Sequence, residues 1–101
     1  MANFVRVAAA SELQPGQGKV VEAGGRQIAL FNVSGSFYAI DNACLHLGGP
    51  LGEGCLEGEN VICPWHGWTY SVTTGLCPIN PNMSVKTYPV KVEGPEIHLG
   101  L

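Results

Sequence analysis

Cationic side chains are scarce in this sequence. Only five of its 101 residues are Lys or Arg, against eight Asp or Glu, for a formal charge of -3. They stand singly at Arg6, Lys19, Arg26, Lys86 and Lys91, so there is no basic stripe to follow a phosphate backbone, and nucleic acid is excluded as a partner. Long apolar runs are missing too. No segment approaches the ~20 apolar residues that a membrane helix needs, so no membrane attachment is expected. The start, Met1-Ala2-Asn3-Phe4-Val5-Arg6, has neither a basic region leading into an apolar stretch nor a twin arginine, and a cytoplasmic location is the expectation. Also absent are a nucleophile–base set, a phosphate loop ending in Lys-Ser/Thr and a flavin fingerprint. The four glycines Gly48, Gly49, Gly52 and Gly54 therefore read as backbone freedom for loops.

Histidine and cysteine are few, at three and four, yet most fall in two short stretches. The first is Cys44-Leu45-His46; the second, after sixteen intervening residues, is Cys63-Pro64-Trp65-His66. Each supplies one thiolate and one imidazole, ligands suited to iron, zinc or copper. Zinc fingers usually pair cysteine with cysteine and histidine with histidine, whereas here both stretches are mixed. Mixed loops suit an asymmetric two-metal cluster in which two thiolates hold one iron and two imidazoles the other. A mononuclear zinc site is the alternative, and a zinc-stabilised interaction module is the function that goes with it. In a reducing compartment Cys44 and Cys63 read as metal ligands, leaving Cys55 and Cys77 as two inert thiols. His98, in a terminal strand, is expected at the surface.

A chain of this length makes one small domain, 1–101, marginal without help, and a metal bound only by the folded state adds stability. The elements read as a meander of short strands. Phe4 to Val7 is a first strand, and Ala8 to Leu13 a helical turn closed by Pro15-Gly16-Gln17-Gly18. Lys19 to Ala23 and Arg26 to Val33 form a hairpin across Gly24-Gly25, followed by a turn at 34–36 and a strand over Phe37–Ile40. The segment 52–59 reads as acidic and flexible, with Glu53, Glu57 and Glu59 a solvated face able to steer a basic partner. Trp68 to Val72 alternates like a strand, with Trp68 and Tyr70 as core. Val85 to Val92 is strongly β but broken or edge-placed by Pro89, and Glu93 to Glu96 turns into Ile97-His98-Leu99. The fold class is all-β and antiparallel.

Cys44-Leu45-His46-Leu47-Gly48-Gly49, the spacing, and Cys63-Pro64-Trp65-His66-Gly67-Trp68 resemble the two-box motif of the Rieske [2Fe-2S] family, and the flanking strands fit along nearly the whole chain. The resemblance implies an antiparallel β-base with a small cluster-binding subdomain, its loops at about 43–50 and 63–68. It implies one Rieske [2Fe-2S] cluster, with Cys44 and Cys63 on the buried iron and His46 and His66 on the outer one. It also implies a proline loop around Pro78 and Pro81 that covers the cluster. Trp65, between two expected ligands, reads either as a shield of the cluster from water or as simple loop packing.

Two branches of that family differ at positions visible here. The quinol-oxidising branch carries an extra cysteine in each loop, where this chain has Gly49 and Trp65, and a serine donor, where it has Trp68. Tyr70 matches that branch's tyrosine donor to a cysteine sulfur. Fewer hydrogen bonds to sulfur lower the potential, toward the low end of the Rieske range of about -150 to +300 mV. The bridge-free branch comprises ferredoxin components of ring-hydroxylating oxygenases, with nitrite reductase small subunits as relatives. Once His46 and His66 are ligands, only His98 remains, too few for a catalytic mononuclear iron. The expectation is a non-enzymatic carrier. It takes single electrons from a flavin-dependent reductase to a terminal oxygenase, as a monomer forming transient complexes. A nitrite reductase small subunit is the alternative.

Overall fold

The sequence Ile28-Ala29-Leu30-Phe31 is apolar at four successive positions within β3 (Arg26–Val33). Successive strand side chains point to opposite faces, so such a run needs a core on both sides. The computed structural model describes residues 4–42, 51–64, 69–77 and 84–100, and it supplies both. Ile28 and Leu30 enter one core with Val21, Tyr88, Ile97 and Leu99. Ala29 and Phe31 enter the other with Leu51, Val61, Cys63 and Tyr70. All four β3 residues are fully buried.

Three antiparallel sheets build these layers. β3 lies in the central sheet with β2 (Gly18–Ala23), β4 (Ser36–Asp41) and β8 (Thr87–Tyr88), in the order β2-β3-β4-β8. One core lies between it and β1 (Phe4–Ala9), β9 (Val90–Glu93) and β10 (Glu96–Gly100), ordered β1-β10-β9. The other core lies between it and β5 (Cys55–Glu57), β6 (Asn60–Ile62) and β7 (Thr69–Ser71). The architecture is the all-β antiparallel one expected. Among the described residues no helix is long and apolar enough to cross a membrane.

Local chemistry explains several joints. Ala23 stands opposite Arg26, and the two residues between them, Gly24 and Gly25, have φ of 58° and 77°, the left-handed geometry of a two-residue hairpin turn. Pro89 breaks the last β stretch as expected, since it lacks a donor. Before it β8 pairs with β4; after it β9 pairs with β10, so the chain changes sheets at the proline. The first strand is longer than expected, because Ala8 and Ala9 pair with Ile97 and Glu96. Only a 3-10 turn at Ala10–Glu12 is left of the helical turn; Glu12 accepts the Ala9 N–H at 2.7 Å.

The segment 52–59 departs from the flexible loop expected. It forms a 3-10 turn at Leu51–Glu53, with Leu51 and Gly52 buried, then a hairpin of β5 and β6 across Gly58. Its first two glycines serve close approach. A Cβ on Gly52 would lie 2.7 Å from Val20 Cγ2 and 3.0 Å from the Lys19 carbonyl oxygen, and one on Gly54 would strike the Ile62 carbonyl. Gly58, with φ of 62° and open space around it, serves the turn. Gly58→Ala should therefore cost only the left-handed penalty of about 1–2 kcal/mol. Gly54→Ala should cost more, through a clash with backbone that cannot rotate away. Paired thermal unfolding curves check this, and a larger loss at Gly58 would contradict it.

Candidate metal centre

Of the four expected ligands, Cys63 lies among the described residues, while Cys44, His46 and His66 lie outside them, as do Trp65, Trp68, Pro78 and Pro81. Cys63 follows β6 directly and is buried, at 3% exposure. It shares its core with Leu51, which resumes the chain after 43–50, with Tyr70 in β7, and with Cys77 and Val85, which flank 78–83. The borders of both ligand boxes and of the proline segment thus converge on one apolar cluster. A thiol so placed suits a thiolate bound to the inner iron of a cluster, where charge is neutralised by metal rather than by water. Tyr70 is fully buried in the same cluster, as expected of a core residue.

The start of the first ligand segment is held firmly. Asn42 is buried; its side-chain oxygen accepts the Gly52 N–H at 2.8 Å and its carbonyl accepts the Leu51 N–H at 2.7 Å. One residue earlier, Asp41 receives the Tyr88 hydroxyl at 2.6 Å, and Arg26 Nη1 donates to that hydroxyl at 3.4 Å. Burial, and then the bond to Asp41, push the Tyr88 phenol above its ordinary 10.0. Ligand spacing points to neither Asn42 nor Tyr88. The only sequence signal was a polar Asp-Asn pair beside an expected metal loop.

The remaining expected residues fall on both sides of their readings. Cys55 is exposed, Cys77 is buried, and neither is in a disulfide, as expected. His98 is not the surface side chain expected: it is half-buried, and its Nε2 is shut off from solvent without a hydrogen-bond partner among the described residues. It stands opposite Arg6 on one side and Lys91 on the other, and these long side chains share its face of the sheet. Charge is sorted along the molecule. From residue 27 to 85 the sequence has Asp41, Glu53, Glu57 and Glu59 but no Lys or Arg. Glu53, Glu57 and Glu59 are exposed, while the ion pairs Arg6–Glu96, Lys19–Glu12 and Lys91–Glu93 all lie outside that stretch.

The profile of the Rieske [2Fe-2S] domain matches residues 3–89. The chain belongs to the Rieske [2Fe-2S] domain family. It is 38% identical over 101 aligned positions to the ferredoxin component of the naphthalene 1,2-dioxygenase system of Pseudomonas aeruginosa, covering 97% of this chain and 95% of the relative. It superimposes with a TM-score of 0.87, at 32% identity, on a chain in the complex of reduced oxygenase and oxidized ferredoxin of carbazole 1,9a-dioxygenase, covering 96% of this chain and 92% of that one. A putative NADH-dependent nitrite reductase small subunit from Mycobacterium tuberculosis gives a TM-score of 0.93 at 27% identity, over 100% of this chain and 96% of that one. The chain accordingly carries a Rieske-type [2Fe-2S] cluster, and its role is to carry electrons.

Tyr88 gives the base of this centre a measurable pH response. A phenol whose folded pKa is raised contributes stability that is fully present below its unfolded value of 10.0 and is lost as pH rises through the folded value. Tyr88→Phe should flatten that alkaline loss and cost about 1–2 kcal/mol at neutral pH, through the hydrogen bond to Asp41. Denaturant titrations at pH 7 and above pH 10 measure both. An unchanged alkaline slope in the variant would remove Tyr88 as its source.

Proposed function

We propose that this chain is the mobile carrier of a ring-hydroxylating oxygenase system, taking one electron at a time from a flavin-dependent reductase to a terminal oxygenase in the cytoplasm. The observation that carries the reading is the match to a dioxygenase ferredoxin component along nearly the whole of both chains. In this reading residues 1–101 are a single Rieske domain with ligand loops at about 43–50 and 63–68 and a covering proline loop at 78–81. Cys44 and Cys63 hold the inner iron, and His46 and His66 hold the outer iron. The cluster supplies the reversible one-electron store, and the chemistry on the organic substrate belongs to the partners. Neutral imidazoles in place of two thiolates make such a centre less negative than an all-cysteine one and easier to reduce.

Surface character supports transient docking. Among the described residues the exposed large apolar side chains are Phe4 and Val5 in β1, Val92 in β9, and Leu76; three of the four lie on the sheet remote from Cys63. A permanently assembled subunit buries a broad apolar patch. The acidic turn and hairpin carrying Glu53, Glu57 and Glu59 suit instead a basic partner surface met through long-range attraction. The nitrite reductase alternative rests on the M. tuberculosis likeness and requires a fixed complex with a large subunit.

Purified protein should be coloured, contain iron and acid-labile sulfide in equal amounts, and give an EPR signal on reduction. Its potential should lie in the lower half of the Rieske range of about -150 to +300 mV. His66→Cys should lower that potential sharply or lose the cluster, because a thiolate adds negative charge where an imidazole adds none. An unchanged potential would refute His66 as a ligand. Colourless protein holding one zinc would return the reading to a zinc-stabilised module. Elution of the native protein only as part of a large complex would favour the nitrite reductase subunit.

A further inference from the structure

Among the described residues two asparagines are buried, Asn32 and Asn42, each tying distant backbone together through its side chain. Asn32 donates to the Leu13 carbonyl at 2.8 Å and accepts the Gly35 N–H at 2.8 Å, joining the segment before β2 to the turn after β3. Asn42 instead stands where the chain leaves the central sheet for the first ligand segment. Its own N–H donates to the Gln27 carbonyl at 3.3 Å, which fixes it to β3. Its carbonyl and side-chain oxygens then take the N–H groups of Leu51 and Gly52, where the chain returns. One residue therefore determines both ends of the excursion that contains Cys44 and His46.

The returning end is closely packed, and a clamp transmits position only when it is tied to something firmly seated. Leu51 is fully buried. Gly52 lies so close to β2 that a Cβ there would press on Val20 and the Lys19 carbonyl, leaving the turn no room to shift. Removing the Asn42 amide would strand a buried Gly52 N–H with no water to replace its partner. We propose that Asn42 is a positioning residue for the cluster, fixing where the Cys44–His46 box begins and ends and so how firmly its two ligands are held. The proposal rests on the assignment of Cys44 and His46 as ligands.

Asn32 provides a control matched in burial and side-chain hydrogen bonding, whose bonds to Leu13 and Gly35 tie neither end of 43–50. The experiment uses the cluster-loaded protein and four variants: Asn42→Ala, Asn42→Ser, Asn42→Asp and Asn32→Ala. It follows the bleaching of visible absorption under excess chelator, the EPR line shape after reduction, and thermal unfolding. Asn42→Ala should release the cluster about tenfold faster or more, the range found when groups that orient metal ligands are removed, and should broaden the EPR signal. Asn32→Ala should lower the unfolding temperature comparably with an unaltered EPR signal and a release rate within about twofold of the parent. Asn42→Asp keeps an acceptor for Gly52 and should restore slow release. If Asn42→Ala does not fold, Asn42→Ser, too short to span to Gly52, carries the same expectation. Equal release rates from the Asn42 and Asn32 variants, or an Asn42→Asp protein as labile as Asn42→Ala, would overturn the proposal. A parent protein without iron and sulfide would instead defeat the ligand assignment itself, so the two failures are distinguishable.

Discussion

A single strand whose middle, Ile28 to Asn32, has no solvent-facing side governs the molecule. β3 sends Ile28 and Leu30 one way and Ala29 and Phe31 the other, and each pair demands a partner sheet. The hydrophobic effect is non-directional, but the two-residue period of a strand divides it into two directed pulls. One pull recruits β1, β9 and β10 and makes a base. The other recruits β5, β6 and β7 and makes the platform on which Cys63 sits. A small chain gains two cores from one strand in this way, at a size where one core alone is marginal.

The platform and the base differ in what they offer the outside. Of the three ion pairs among the described residues, Arg6–Glu96 and Lys91–Glu93 lie in the base, and Lys19–Glu12 joins β2 to the 3-10 turn before it. The stretch holding both ligand boxes contains carboxylates and no cation. Exposed pairs add little stability, so the difference bears on encounter more than on folding. A partner presenting positive charge would be drawn toward the exposed carboxylates Glu53, Glu57 and Glu59, which lie in or beside the sheet that leads into Cys63. Electron transfer falls steeply with distance, so an approach biased to that side is productive more often than a random one.

Most of the fold was legible where the signal was local. Gly24-Gly25 named its own turn, Pro89 named its own break, and the two mixed Cys-His boxes named the metal chemistry. Expectation failed where a residue's role was set by something far away in sequence. Gly52 and Gly54 looked like freedom; in the structure they are contacts, and only the positions of β2 and β6 reveal it. His98, in a terminal strand, is expected at the surface but is half-buried, with Arg6 and Lys91 standing opposite it on the strands at either side. For Asn42 the one local sign was its place in a polar Asp-Asn pair; its partners Leu51 and Gly52 become neighbours only after the chain has left and returned.

The pairing of β1 with β10 sets Phe4 opposite Gly100, so the two ends of the described fold lie side by side in the base. The platform that bears Cys63 belongs to the opposite layer and uses neither end. Joining the ends and opening the chain at an exposed turn such as Gly94 would therefore produce a circular permutant that leaves the platform continuous. The same geometry makes the base a natural attachment point. A tether fixed there, to an electrode or to a second protein, leaves the opposite layer free to exchange electrons.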